Sequence, residues 1–228
     1  MKAIVIVSGG LDSVTLAYEM AEQTNDLHFL SFDYGQRHRK ELHFARLAAK
    51  RLGARHDLID LTGLTTLISN SSLTNTAIPV PDGHYAETTM KATVVPNRNA
   101  IMLSIAYGVA VSEEASVLAL GVHAGDHFIY PDCRPDFIAK LGAALSSGNQ
   151  GFGDPDLKIV TPYIGISKAD IVRRGAVRVP YTDTWSCYKG GDVHCGVCGT
   201  CSERREAFVI AGISDPTVYA VTDDVRNF

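Results

Sequence analysis

No run in this chain is apolar for long enough to span a bilayer. The most apolar stretch, Ala100 to Ala110, carries Ser104 and Gly108 and stops well short of the roughly 20 residues required. A global basic field is lacking too: 21 Lys and Arg face 25 Asp and Glu, a formal charge of -4, so nothing at the level of the whole chain draws in nucleic acid, although a local patch stays open. The chain opens directly on a strand-like run, which leaves no room for a positive n-region and an apolar h-region and predicts a cytoplasmic protein without a secretory signal. There is no internal repeat, coiled-coil heptad or low-complexity tract. Neither common glycine-rich phosphate fingerprint is present: no G-x-x-x-x-G-K-[ST], and no G-x-G-x-x-G after Gly10.

What is present suits a soluble globular α/β protein: 228 residues, 46% hydrophobic and 20% charged. Lys2 to Val7 reads as a buried strand, and the spacing of Val14, Ala17, Tyr18 and Ala21 predicts a helix over 13–22. Strand 27–32, a helix ending at Gly53 and strand 56–61 continue the alternation. Residues 70–96, with three prolines and little periodicity, form a candidate functional loop. Helix 99–113 and strand 116–121 follow. Asp132 then stands as the cap of a helix with Pro135 in its first turn, followed by an edge strand at 158–161, a short helix at 167–174 and a last helix at 202–211. The alternation predicts an α/β fold with a doubly wound, mainly parallel, Rossmann-like sheet over residues 1–180, and a small C-terminal zinc-binding module over 181–228.

Between the first strand and its helix lies S-G-G-L-D-S, Ser8, Gly9, Gly10, Leu11, Asp12 and Ser13. Paired glycines let the backbone turn tightly and leave amides uncovered, and a helix starting at once adds its positive end; such a corner binds an anion. The amides and the Ser8 and Ser13 hydroxyls suit phosphate oxygens, and Asp12 suits Mg²⁺. The loop resembles the pyrophosphate-binding loop of nucleotide-pyrophosphatase-like ATP enzymes such as asparagine and GMP synthetases and tRNA thiolases. The resemblance implies that ATP reacts at its α-phosphate and that a substrate oxygen is adenylated.

Five cysteines occur, and four of them, Cys187, Cys195, Cys198 and Cys201, fall in C-x7-C-x2-C-x2-C within 15 residues. That spacing points to a metal in a reducing compartment rather than to disulfides. Four thiolates close a tetrahedral shell around structural Zn²⁺; an iron–sulfur cluster is the rival, and His194 is an alternative ligand. Cys133, the thiol outside the cluster, reads as a small buried hydrophobe.

The segments FDYGQRH (32–38), VPNRN (95–99), GVHAGDHFIYPDCRPDF (121–137), TP (161–162), SKADIV (167–172) and TWSCY (184–188) stand in the order seen in the 7-cyano-7-deazaguanine (preQ0) synthase family, and the resemblance covers nearly the whole chain. It implies an ATP-dependent ligase of queuosine biosynthesis that converts 7-carboxy-7-deazaguanine and ammonia to a nitrile, with two activations of one carboxyl group, and a homodimer. No glutaminase-like domain is present, so free ammonia or a partner supplies the nitrogen. Two departures stand out: 171–181 is shorter than usual, and Asn97 replaces a more usual glycine.

The expected site follows from these segments. Asp12, Ser13 and Lys168 are the catalytic candidates, and Ser8 to Ser13 the ATP-binding ones. Tyr34, Gln36 and Arg37 (with His38 beside them), Arg98, Asp126, Tyr130, Asp132 and Arg134 are the substrate-binding candidates, placed beyond the carboxyl ends of the strands where open α/β sheets bind ligands. A tRNA thiolase using Cys133 as sulfur carrier is the alternative enzyme, disfavoured by the acidic net charge. A non-catalytic zinc-dependent module that recognises nucleotide or nucleic acid is the other.

Overall fold

A computed structural model describes residues 1–222. Its frame is a five-stranded sheet of β1 (Lys2–Ile6), β2 (Asp26–Asp33), β3 (Arg55–Asp60), β4 (Val117–Ala119) and β5 (Lys158–Val160), in the order β3-β2-β1-β4-β5. Every pairing is parallel: Val5 stands opposite Phe29 on one side and Ala119 on the other. Parallel neighbours need crossovers, and the helices supply them: α1 (Leu11–Ala21), α2 (Glu41–Leu52), the single-turn α3 (Glu87–Met90), α4 (Arg98–Ser112), α5 (Pro135–Gly148), α6 (Lys168–Gly175) and α7 (Gly199–Ala211).

The two-residue period of β1 sorts its side chains onto two faces. Ala3, Val5 and Val7 join Val14 and Leu16 of α1, Ala45 of α2, Ile171 of α6 and Phe208 of α7. Ile4 and Ile6 join Leu103 and Ala106 of α4 and Ile138 of α5. Both faces are covered, so the central strands carry continuous apolar runs, and the sheet is doubly wound as expected. None of the helices among the described residues is long and apolar enough to cross a membrane.

Three expectations shift. Helix α7 starts at Gly199, inside the cysteine motif rather than after it, and its Ala207 and Phe208 belong to the same core as β1. The 70–96 loop holds α3 and a tight turn at Lys91–Thr93. Asp132 does not cap α5, whose cap residue is Arg134. The tight turn at Pro131–Cys133 aims its carboxylate at α4 instead, where Oδ2 accepts the Asn99 amide at 3.1 Å. Asn97, in front of α4, sits at φ 57°, ψ 14°, the left-handed region that asparagine tolerates better than other side-chain-bearing residues.

Candidate active site

One cavity opens at the carboxyl ends of β1, β2 and β4, where the strand order reverses direction. The 8–13 loop forms one wall. In it the Ser13 hydroxyl accepts the Ser8 and Gly9 amides at 3.1 and 3.3 Å and donates to the Gly10 carbonyl at 3.2 Å, and Ser8 Oγ accepts the Gly10 amide at 3.2 Å. The donors a phosphate needs are gathered on two rotatable hydroxyls that exchange partners easily. Ser8, Gly10, Asp12 and Ser13 line the cavity. Leu11 turns its side chain into the core, so only its backbone serves the loop. Gly9 (φ 94°) packs behind, with its carbonyl accepting the Trp185 amide at 2.9 Å.

Below the loop lies a cluster of charges. Lys168 Nζ is 3.3 Å from Asp12 Oδ2 and is hydrogen-bonded to Glu203 at 2.5 Å. Burial works against its charge, but Asp12 and Glu203 outweigh burial and hold its pKa above the ordinary lysine value. His123 accepts the Gly125 amide on Nδ1, so its Nε2 proton faces Asp126 at 3.5 Å, Glu203 at 3.8 Å and Asp12 at 3.9 Å. Burial pushes Asp126 up, yet His123 and Lys168 pull it below the usual carboxylate range; burial leaves Glu203 raised. Asp12 Oδ1 is buried without a partner, which suits it to a cation.

The far end of the cavity is aromatic. Arg98, at the start of α4, lies 5.8 Å from the ring centre of Tyr130 and 6.0 Å from that of Tyr34, with the Tyr34 hydroxyl at 3.4 Å. Burial, only partly offset by Arg98, pushes Tyr34 up to about 12, so it stays a neutral phenol. Tyr85 donates to Asp126 Oδ1 at 2.9 Å. Flat rings, a guanidinium with free donors and a carboxylate can hold a planar heterocycle bearing a carboxylate.

Of the eight sequence-derived substrate candidates, the cavity gathers Tyr34, Arg98, Asp126 and Tyr130. The other four serve the walls. Gln36 holds the Tyr34 amide and Glu41, Arg37 donates to the carbonyls of Asn75 and Ile78, Asp132 caps α4, and Arg134 donates to the His127 carbonyl. Their side chains are taken by neighbouring helix starts, strand ends and loop carbonyls, directions that no residue pattern discloses. The cavity also takes in Glu41, Tyr85, Tyr188 and Glu203, which sequence reasoning did not assign. Tyr188 stands within TWSCY; Glu203 carries no sequence signal, since its place depends on α7 packing against α6.

Beside the cavity the four cysteine sulfurs lie within 4.8 Å of one another. A tetrahedral ion with bonds of about 2.3 Å sets ligand sulfurs about 3.8 Å apart, and Cys195 and Cys201 are 3.9 Å apart. The amides of Val197 and Cys198 donate to Cys195 Sγ, and that of Cys195 to Cys187 Sγ. The donor set fits one four-coordinate metal ion. His194 Nε2 instead accepts the Ser186 amide, which removes it from the ligands. The knuckle also reaches the cavity's rim: Asp82 bridges to Cys198, and the Gly83 amide donates to the Val197 carbonyl.

Residues 2–212 match the family model described as queuosine biosynthesis protein QueC. The chain is 57% identical over 224 residues to a 7-cyano-7-deazaguanine synthase of Allorhizobium ampelinum, covering 98% of this chain and 94% of that one. It is 56% identical over 228 residues to the enzyme of the same name from Brucella anthropi, covering 100% and 97%. In fold it is similar to the NMN synthetase of Francisella tularensis, with a TM-score of 0.51 at 17% identity over 96% of this chain and 79% of that one. A phosphate loop, a switch-point cavity and a four-cysteine knuckle thus sit in a chain that belongs to the QueC family of queuosine biosynthesis.

Proposed function

We propose that the chain is an ATP-dependent synthase that turns 7-carboxy-7-deazaguanine and ammonia into 7-cyano-7-deazaguanine. The observation that carries this reading is that the phosphate loop and the Arg98–tyrosine end open on one cavity, so a bound carboxylate can meet the α-phosphate of ATP. Arg98 holds the carboxylate, Tyr34 and Tyr130 flank the heterocycle, and Asp126 reads its guanidine-like edge. The 8–13 loop takes the β- and γ-phosphates. Asp12 would hold Mg²⁺, which would neutralise phosphate charge, and Lys168, held between Asp12 and Glu203, adds a fixed cation near the charge that develops.

The carboxylate is activated once to become the amide and again to lose the amide oxygen, both at the same cavity. The knuckle binds structural Zn²⁺: with four thiolates it leaves no open coordination position, and a multi-iron cluster spreads its thiolates over several irons. Ammonia enters free or from a partner, and the working form is a cytoplasmic homodimer, as the family resemblance implies. The test is pyrophosphate release by the metal-loaded protein. Release should require both ATP and 7-carboxy-7-deazaguanine and vanish in a folded Asp12→Ala variant. Release without the deazaguanine, or unchanged release in the variant, would refute the assignment.

A further inference from the structure

Two buried titratable side chains at the aromatic end have no part in the phosphate chemistry: His38, 3% exposed, and Glu41, 7% exposed. Both line the cavity. His38 Nε2 is 3.4 Å from Glu41 Oε1, and the same oxygen accepts a hydrogen bond from Gln36 Nε2 at 3.1 Å. Gln36 is itself fixed, accepting the Tyr34 amide and donating to the Phe32 carbonyl. The His38 ring packs on Tyr188 with centres 4.8 Å apart. In the tautomer that turns an Nε2 proton toward Glu41 Oε1, Nδ1 carries the lone pair. That Nδ1 is buried and has no partner. A pair of buried polar groups with one atom unsatisfied is costly, and no packing need explains it.

Resting on the function proposed above, we infer that His38, oriented by Glu41, is the base that takes the protons nitrogen sheds on the way from carboxylate to nitrile. In the first half, ammonia's lone pair forms the C–N bond, an N–H proton passes to His38 Nδ1, and the bond from carbon to the phosphorylated oxygen breaks with its electron pair. In the second half, the amide oxygen attacks the phosphorus of a second ATP and pyrophosphate leaves. Nitrogen then gives up two protons in succession as the C–O bond breaks and C≡N forms. His38 returns each proton to water between steps, and carbon keeps its oxidation level, so no redox partner is needed.

The other bases of the cavity are committed elsewhere. Asp12 and Glu203 face Lys168 at the phosphate end, and Asp126, between His123 and Tyr85, is taken up by the edge of the heterocycle. The groups facing the pair are Gln36, Tyr34 at the end of β2, Arg98 on α4 and Tyr188 from the cysteine segment. Burial pushes Glu41 up to about 8 against the pull of Gln36 and Arg98, and burial together with Arg98 pulls His38 down to about 3. Near neutrality the pair is uncharged. As pH rises through about 8, Glu41 ionises and can support an imidazolium, so nitrogen capture should accelerate through that range at constant free ammonia.

The experiment is single-turnover kinetics on His38→Asn and Glu41→Gln with ATP, Mg²⁺, ammonium and 7-carboxy-7-deazaguanine, following the pyrophosphate burst and amide formation separately. The burst should stay within about threefold of wild type in both; amide formation falls roughly 10²- to 10⁴-fold in His38→Asn, whereas Glu41→Gln keeps the neutral-pH rate and loses the rise near pH 8. Should His38→Asn fail to fold, Glu41→Gln carries the test. Wild-type capture in folded His38→Asn, or an unchanged rise near pH 8 in folded Glu41→Gln, overturns the inference, and so does loss of burst and capture together, which makes the residue a binding group. A wild-type protein that gives no burst overturns the underlying reading and the inference with it.

Discussion

Gly9 presses against the first turn of α2 so closely that a Cβ built on it would overlap the Glu41 carbonyl oxygen. At φ 94° the position is also one that residues with side chains rarely adopt. The phosphate loop and the helix that carries Glu41 are therefore one rigid joint. Gly9→Ala should lower stability by about 3 kcal/mol, combining overpacking with backbone strain, and should abolish ATP binding. Denaturant unfolding and calorimetric titration with ATP read the two effects.

Lys168 is cationic across the working range because Asp12 and Glu203 outweigh burial. Lys168→Met leaves those carboxylates and Asp126 facing one another without that ammonium. Pyrophosphate formation should fall roughly 10²- to 10³-fold, the scale seen when one preorganised electrostatic donor is removed. Stopped-flow pyrophosphate detection on a folded variant checks it; a loss under threefold would remove Lys168 from the machinery.

Metal removal should act on two places at once. The cysteine knuckle fixes the start of α7 and, through Asp82 and Gly83, the rim segment that carries Tyr85. Chelation should lower the melting temperature and expose residues 80–93 to proteolysis, because the ion's binding energy is part of the folding energy. An apo sample with an unchanged melting curve would show that the knuckle holds without metal.

Cys133 lines the cavity but is held as a thiol. Burial pushes its pKa well above the ordinary value, with Asp126 and Asp132 adding to it, and its sulfur accepts the Asn99 side-chain amide at 3.2 Å. Cys133→Ala should keep nitrile formation within about tenfold. Abolished turnover in a folded Cys133→Ala protein would favour a persulfide-carrying thiolase, the role a lone cavity thiol would serve.

Much of this was legible in the sequence, and the reason is local. The continuous apolar run of β1 and the alternation of strands and amphipathic helices specify a parallel sheet, because both faces must be covered. The Ser8–Ser13 loop and the cysteine spacing are short-range patterns whose geometry is fixed by a few bonds. The substrate end was legible only in part. Tyr34 and Arg98 meet across 64 residues and Lys168 and Glu203 across 35, so their contacts depend on helix packing that leaves no periodic trace. Asp132 shows the same limit: its place before Pro135 suggests a cap for α5, yet it accepts the Asn99 amide of α4, a helix that precedes it in the chain.

If one cavity carries a carboxylate through two activations to a nitrile, mass spectrometry of the products will show it, with metal-loaded protein given ATP, Mg²⁺, ammonium and 7-carboxy-7-deazaguanine. The expected product is 7-cyano-7-deazaguanine, with the amide as a transient and AMP and pyrophosphate accumulating. A folded, metal-loaded protein that stops at the amide, or converts nothing, would contradict it.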